Sequence, residues 1–205
     1  MLHRKFKVRS ENSRKFLHVS GGLMCLFFPS IFSNHWWLFI LALIAFLILF
    51  ITYKTKQLAS VHQTRRYSVG SVLFPLPVYL CFLIAEKSGN NLYFYLPVSL
   101  LAISDTAAEI GGNLWGRYTM SFFKEQKTLA GSLCFFITAV IVCFIWFRLF
   151  SSLSLINILL VSLVISLCTA ITETLTLHGW DNLTVPAITV LLLLFFLTNY
   201  PAAFS

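Results

Sequence analysis

Asp105 and Glu109 lie four residues apart in the stretch Ser-Asp-Thr-Ala-Ala-Glu-Ile-Gly-Gly-Asn-Leu-Trp-Gly-Arg from Ser104 to Arg117, at the inner end of an apolar run. On a helix that spacing turns both carboxylates the same way, and keeping both ionised near lipid is costly. A compensating cation is needed, and the chain has 7 acids against 15 basic residues. The choices are a divalent metal, a basic side chain, or both. Asp105 and Glu109 are therefore candidate metal ligands. The alternative is that they pair with Arg14, Lys15 or Arg117 and only hold helices together. Gly111, Gly112 and Gly116 follow at once and would let a phosphate approach the backbone closely, although Gly112 and Gly116 equally form a small-xxx-small pattern for helix packing. Lys127-Thr128, with Gly131-Ser132, opens a later apolar block. A lysine beside a helix N-terminus can bind an anion, or can serve as an interfacial anchor with a cap.

The elements that must position these residues are membrane helices. Of the 205 residues 58% are hydrophobic and 11% charged, and the mean hydropathy is +0.83, far from the composition of a soluble domain. The apolar residues fall into blocks at about 17–33, 35–52, 69–85, 92–110, 129–149, 153–172 and 183–199, each about as long as a helix needs to cross the hydrocarbon core. The blocks are apolar all round rather than alternating, which excludes a β-barrel pattern. The fold class is all-α: a polytopic membrane bundle of about seven transmembrane helices, forming a single integral domain over 1–205 with a basic segment at 1–15. His18, Ser20, Gly21, Gly22 and Pro29 interrupt the first block. Without a small-residue cleavage pattern, and with further spans following directly, it reads as a span rather than a signal peptide.

The net charge of +8 does not indicate nucleic acid, because its placement follows topology. Arg4, Lys5, Lys7, Arg9, Arg14 and Lys15 precede the first block, Lys54, Lys56, Arg65 and Arg66 separate the second and third, and Arg117, Lys124 and Lys127 separate the fourth and fifth. All three segments share one side of the bilayer, leaving Lys87 and Arg148 for the other. The positive-inside rule then puts the N-terminus in the cytoplasm, in the cell inner membrane if the cell is bacterial. Cys25, Cys81, Cys134, Cys143 and Cys168 all lie in apolar blocks without paired spacing and read as small buried residues. The sequon Asn182-Leu183-Thr184 falls on the cytoplasmic side and is a chance match.

Threading the chain through the membrane in this way gathers Asp105, Glu109, Glu125, Glu173 and Asp181 on the cytoplasmic face, with Arg14, Lys15, His18, Arg117, Lys124 and Lys127. This is the inventory of phosphoryl transfer: carboxylates for Mg²⁺, cations and amides for phosphates, and a group to orient the attacking hydroxyl. His18, Asp105 and Glu173 are the candidates for that last task. No Walker A loop or dinucleotide glycine fingerprint is present. A transporter would spread polar residues toward the midplane or both faces, whereas here the outer halves are almost wholly apolar.

Arg14-Lys15-Phe16-Leu17-His18-Val19-Ser20-Gly21-Gly22, then Asp105-Thr-Ala-Ala-Glu109 with Gly112 and Gly116, then Lys127-Thr128-Leu-Ala-Gly131-Ser132, and finally Glu173 with Asp181-Asn182-Leu183-Thr184-Val185-Pro186 occur in this order. The arrangement resembles the polyprenol kinases, the phytol and dolichol kinases among them, from residue 14 to about 190. The resemblance implies a multi-pass enzyme that moves the terminal phosphate of a nucleoside triphosphate, typically CTP, to a lipid alcohol such as phytol, geranylgeraniol or dolichol. It implies Mg²⁺ and nucleotide phosphates at Asp105 and Glu109, a phosphate contact at Lys127, completion of the site by Asp181 and Asn182, and membership of Arg14, Lys15 and His18 in the first motif. Ala130 stands where the family often has a glutamate, which leaves the choice of nucleotide open. Related chemistries stay open too: diacylglycerol kinase activity, a phosphatidate cytidylyltransferase-like reaction, or a membrane protein without catalysis. The partners expected are a lipid alcohol, a nucleoside triphosphate and membrane lipids, with a homo-oligomer left open.

Overall fold

A computed structural model describes residues 19–55, 69–122 and 125–200. Helix α1, Val19–Ile31, is short and apolar. It is broken by a turn at Leu26 and Phe27 just before Pro29, where proline is tolerated because it opens a new helical turn. Helix α2, His35–Lys54, starts where the Asn34 side chain accepts from Trp36 N at 3.1 Å, and it buries only Leu38. Its remaining apolar surface suits lipid rather than a protein core. Helix α3, Gly70–Ser88, ends at Gly89, whose φ of 68° lies in the left-handed region open to glycine.

The fourth span is two helices joined without a loop. Helix α4, Leu92–Ser99, carries Pro97 inside it and runs into a π-helical turn, Leu100–Ser104, from which α5, Asp105–Trp115, continues. The Asp105 N–H donates to Leu100 O, a bond one residue longer than the α-helical one, so an extra residue is accommodated immediately before the aspartate. A two-stranded hairpin follows, β1 Thr119–Phe122 and β2 Glu125–Thr128, antiparallel with Thr119 opposite Thr128.

Helix α6, Leu129–Phe150, begins at Thr128, whose hydroxyl accepts from Gly131 N at 3.1 Å. Helix α7, Leu155–Leu175, is capped in the same way by Ser154. The loop after it passes through His178 and Gly179, with φ of 58° and 85°, and helix α8, Asp181–Asn199, completes the bundle.

Five of these helices are long and apolar enough to cross a membrane. With α1 and the composite span 92–115, they follow the seven apolar blocks in order. Helices α4, α6, α7 and α8 supply most of the core, including the fully buried Phe94, Leu96, Phe135, Phe147, Ile165 and Leu193. The bundle is all-α as expected, with one short addition: Thr119–Phe122 and Glu125–Thr128 pair as strands between the fourth and fifth spans. Helix α5 also runs five residues past the expected end of the fourth block, and α8 starts two residues earlier than expected, which places Asp181 in its first turn.

Candidate functional site

One end of the bundle gathers Asp105, Lys127, Glu173 and Asp181. Asp105 is the first residue of α5, Glu173 sits in the last turn of α7, and Asp181 is the first residue of α8. One carboxylate oxygen from each comes within 4.8 Å of those of the other two. Lys127, on β2, enters this group from the hairpin. Its ammonium lies 2.5 Å from Glu173 Oε1 and 3.4 Å from Asp181 Oδ2, and it also donates to the Glu173 main-chain carbonyl. Burial pulls the Lys127 pKa down, but Glu173, Asp181 and Asp105 outweigh it, so the ammonium is held above the ordinary lysine range.

Local structure accounts for each placement. A carboxylate at a helix N-terminus is favoured by the macrodipole, as at Asp181, whose Oδ1 accepts from Asn182 N at 3.0 Å. Glu173 has the opposite problem, an anion among the orphan carbonyls of a helix C-terminus, and Lys127 answers both by bonding its carboxylate and its carbonyl. Behind Glu173, the Thr174 hydroxyl lies 3.5 Å from Oε2 and 2.9 Å from the Ser132 hydroxyl of α6.

Helices α5 and α6 approach through glycine. A Cβ on Gly131 would stand 2.9 Å from Ala108 O, one on Gly112 2.7 Å from Thr128 Oγ1, and one on Gly116 2.6 Å from Thr128 Cγ2. Packing is thus a visible use of Gly112 and Gly116, and through Thr128 it fixes the neighbouring Lys127 above α5.

Of the residues singled out from the sequence, Asp105, Glu173, Asp181 and Lys127 come together. Glu109 lies one turn along α5 from Asp105, and the three-carboxylate group does not include it. Asn182 is buried at the start of α8, close to Gly70 of α3, and Arg117 is exposed past the end of α5. Arg14, Lys15, His18 and Lys124 lie outside the described residues. The Ser132 and Thr174 hydroxyls are a support for the acids that the sequence does not reveal; their contact joins residues 42 apart in the chain, which no local spacing shows.

The donor set suits a hard divalent cation. Ligand oxygens of an octahedral Mg²⁺ with bonds of about 2.1 Å stand about 3.0 Å apart when adjacent and about 4.2 Å apart when opposite, so three oxygens within 4.8 Å of one another are near that spacing and would draw inward around an ion. With all three ionised, the group exceeds the lysine by two negative charges, the charge of the ion it would hold. A separate apolar furrow of about 270 Å³ lies between α5 and α6, lined by Ala107, Ile110, Gly111, Trp115, Cys134, Ile137 and Thr138. None of the four charged residues borders it.

Residues 4–174 match the family described as the cytidylyltransferase family. Over 186 residues the chain is 24% identical to the phytol kinase of Synechocystis sp., covering 91% of this chain and 79% of that protein. No solved structure matches.

Proposed function

The chain belongs to the cytidylyltransferase family, and from that membership and the phytol kinase relative we propose that this membrane protein transfers the terminal phosphate of a nucleoside triphosphate, CTP, to an isoprenoid alcohol of the phytol, geranylgeraniol or dolichol type. The carrying observation is the convergence of Asp105, Glu173 and Asp181 with Lys127 at one end of an apolar bundle. Phosphoryl transfer needs little covalent help from the protein; it needs positioning and charge stabilisation.

In this reading Asp105, Glu173 and Asp181 hold Mg²⁺, with Glu109 one turn away as a further acidic group toward the nucleotide. An ion held there would supply neutralisation of the charge on the triphosphate. Lys127 contacts phosphate, and Gly112, Gly116, Arg117 and Asn182, with Arg14 and Lys15, line the approach of the nucleotide. A carboxylate of the cluster, Asp105 or Glu173, or else His18, orients the acceptor hydroxyl. The distribution of lysine and arginine puts this end of the bundle on the cytoplasmic side, where nucleotide is available. The acceptor's tail stays in lipid, so only its hydroxyl has to reach the acids.

The family match gives specific weight to a second reading, in which CTP is cleaved between its α- and β-phosphates and a CDP-lipid forms with release of pyrophosphate. Product analysis separates the two. Protein in nanodiscs is offered CTP labelled at the γ- or α-phosphate, together with phytol, geranylgeraniol, dolichol, diacylglycerol or phosphatidate. Label from the γ position in an isoprenoid lipid, dependent on Mg²⁺ and lost in Asp105→Asn, supports the kinase. Label only from the α position, in a CDP-lipid, replaces it with the cytidylyltransferase reaction.

A further inference from the structure

Every polar contact described for the Lys127 ammonium is with an atom of the cluster: the Glu173 carbonyl, Glu173 Oε1 and Asp181 Oδ2. Two of these belong to carboxylates of the set that could hold a metal. We propose that Lys127 is a resident cation that occupies the carboxylate site in place of a divalent ion, and that leaves when a triphosphate draws it away. This rests on the metal-binding reading of Asp105, Glu173 and Asp181 given above.

The physical case has three parts. An ammonium and a divalent ion within a few ångströms repel strongly in a partly buried site, and the Lys127 side chain is only 14% exposed. Glu173 Oε1 and Asp181 Oδ2 each spend acceptor capacity on the lysine, which leaves less of it for a metal. The lysine stem is long and flexible, whereas its backbone is held in a strand pair and joined through Thr128 to the capped start of α6. The head group can therefore swing while the hairpin stays in place, and the strongest attractant that enters the site is a polyanionic phosphate chain. Free metal then binds weakly, and metal and nucleotide enter as a pair.

The consequence runs opposite to the ordinary expectation for a phosphate-binding lysine. Lys127→Met should weaken nucleotide use but tighten nucleotide-free metal binding. Mn²⁺ titration followed by electron paramagnetic resonance, on full-length protein in nanodiscs, reads this directly. The expected result is half-saturation at an at least tenfold lower Mn²⁺ concentration in Lys127→Met, repeated in Lys127→Gln, with Lys127→Arg as weak as wild type. Circular dichroism and size-exclusion profiles check that each variant keeps its helices. Should one neutral variant fail to fold, the other carries the comparison. Equal or weaker Mn²⁺ binding in the folded neutral variants overturns the proposal while leaving the metal site standing. No Mn²⁺ binding in any variant, with or without CTP, removes the metal site itself.

Discussion

Substituting Gly131 with alanine tests whether glycine contact between α5 and α6 sets the spacing of the charged site. The new Cβ would stand 2.9 Å from Ala108 O and 3.0 Å from Thr128 Oγ1, whereas ordinary contact begins at 3.4 Å. Ala108 O is backbone, so it cannot rotate aside, and the two helices must part by about 0.5 Å. Overpacking of this kind costs about 1–3 kcal/mol, against which alanine recovers up to about 1 kcal/mol of helix propensity. Gly21→Ala supplies the control, because a Cβ there meets nothing within 4 Å among the described residues. The difference between the two variants cancels much of the propensity term, leaving Gly131→Ala less stable by about 1–3 kcal/mol. Thermal unfolding in nanodiscs, followed by tryptophan fluorescence, should place it about 2–12 °C below Gly21→Ala. Displacing Asp105 from Glu173 by half an ångström should also slow phosphate transfer about tenfold, because about 1 Å costs about a hundredfold. A Gly131→Ala protein with the stability and turnover of Gly21→Ala would refute the packing argument and the dependence of the site on it.

Single replacements Asp105→Asn, Glu173→Gln and Asp181→Asn should each lower phosphate transfer by about a hundredfold or more and weaken Mn²⁺ binding measured by resonance; retention of both by all three would remove the carboxylates from the site. Chelation with EDTA should abolish transfer, and Mg²⁺ should restore it in full. Because the folded Lys127 pKa is raised, its contribution to stability is whole below the unfolded value of 10.5 and is lost as pH climbs through the higher folded value. Thermal stability followed across pH 7 to 12 should therefore show a decline above about 10.5 that Lys127→Met lacks. Trp146→Phe removes a 2.9 Å hydrogen bond to Ser99 within α4; it should cost about 1 kcal/mol in unfolding experiments and leave turnover untouched.

The spans were legible because an apolar block long enough to cross lipid can hardly do anything else, and Thr128 stands where a cap is needed. The hairpin was not, because Thr119–Phe122 and Glu125–Thr128 are too short for a period-two pattern to show, and the basic residues around them read as a loop. The site was legible in part. Spacing four residues apart ties Asp105 to Glu109 on one helix, but it says nothing about which other helices arrive. The structure brings Glu173 and Asp181 to Asp105 from helices more than 60 residues away in the chain; topology had put five acids on one face without showing which of them meet. The approach of α5 to α6 at Gly131 and Ala108 is likewise a property of two surfaces, with the small residues as its only trace in the sequence.

The π-helical turn at Leu100–Ser104 gives the two halves of one span separate rotational settings. The half at 92–99 is dialled to the core, with Leu92, Phe94 and Leu96 fully enclosed, while the half from Asp105 onward is dialled to the acids. Excising one residue between them would turn everything downstream by about 100°, swinging Asp105 off its target while α4 stayed seated. The length of this segment therefore sets the aim of the aspartate: a residue gained or lost at 100–104 would misdirect it even with every other side chain kept.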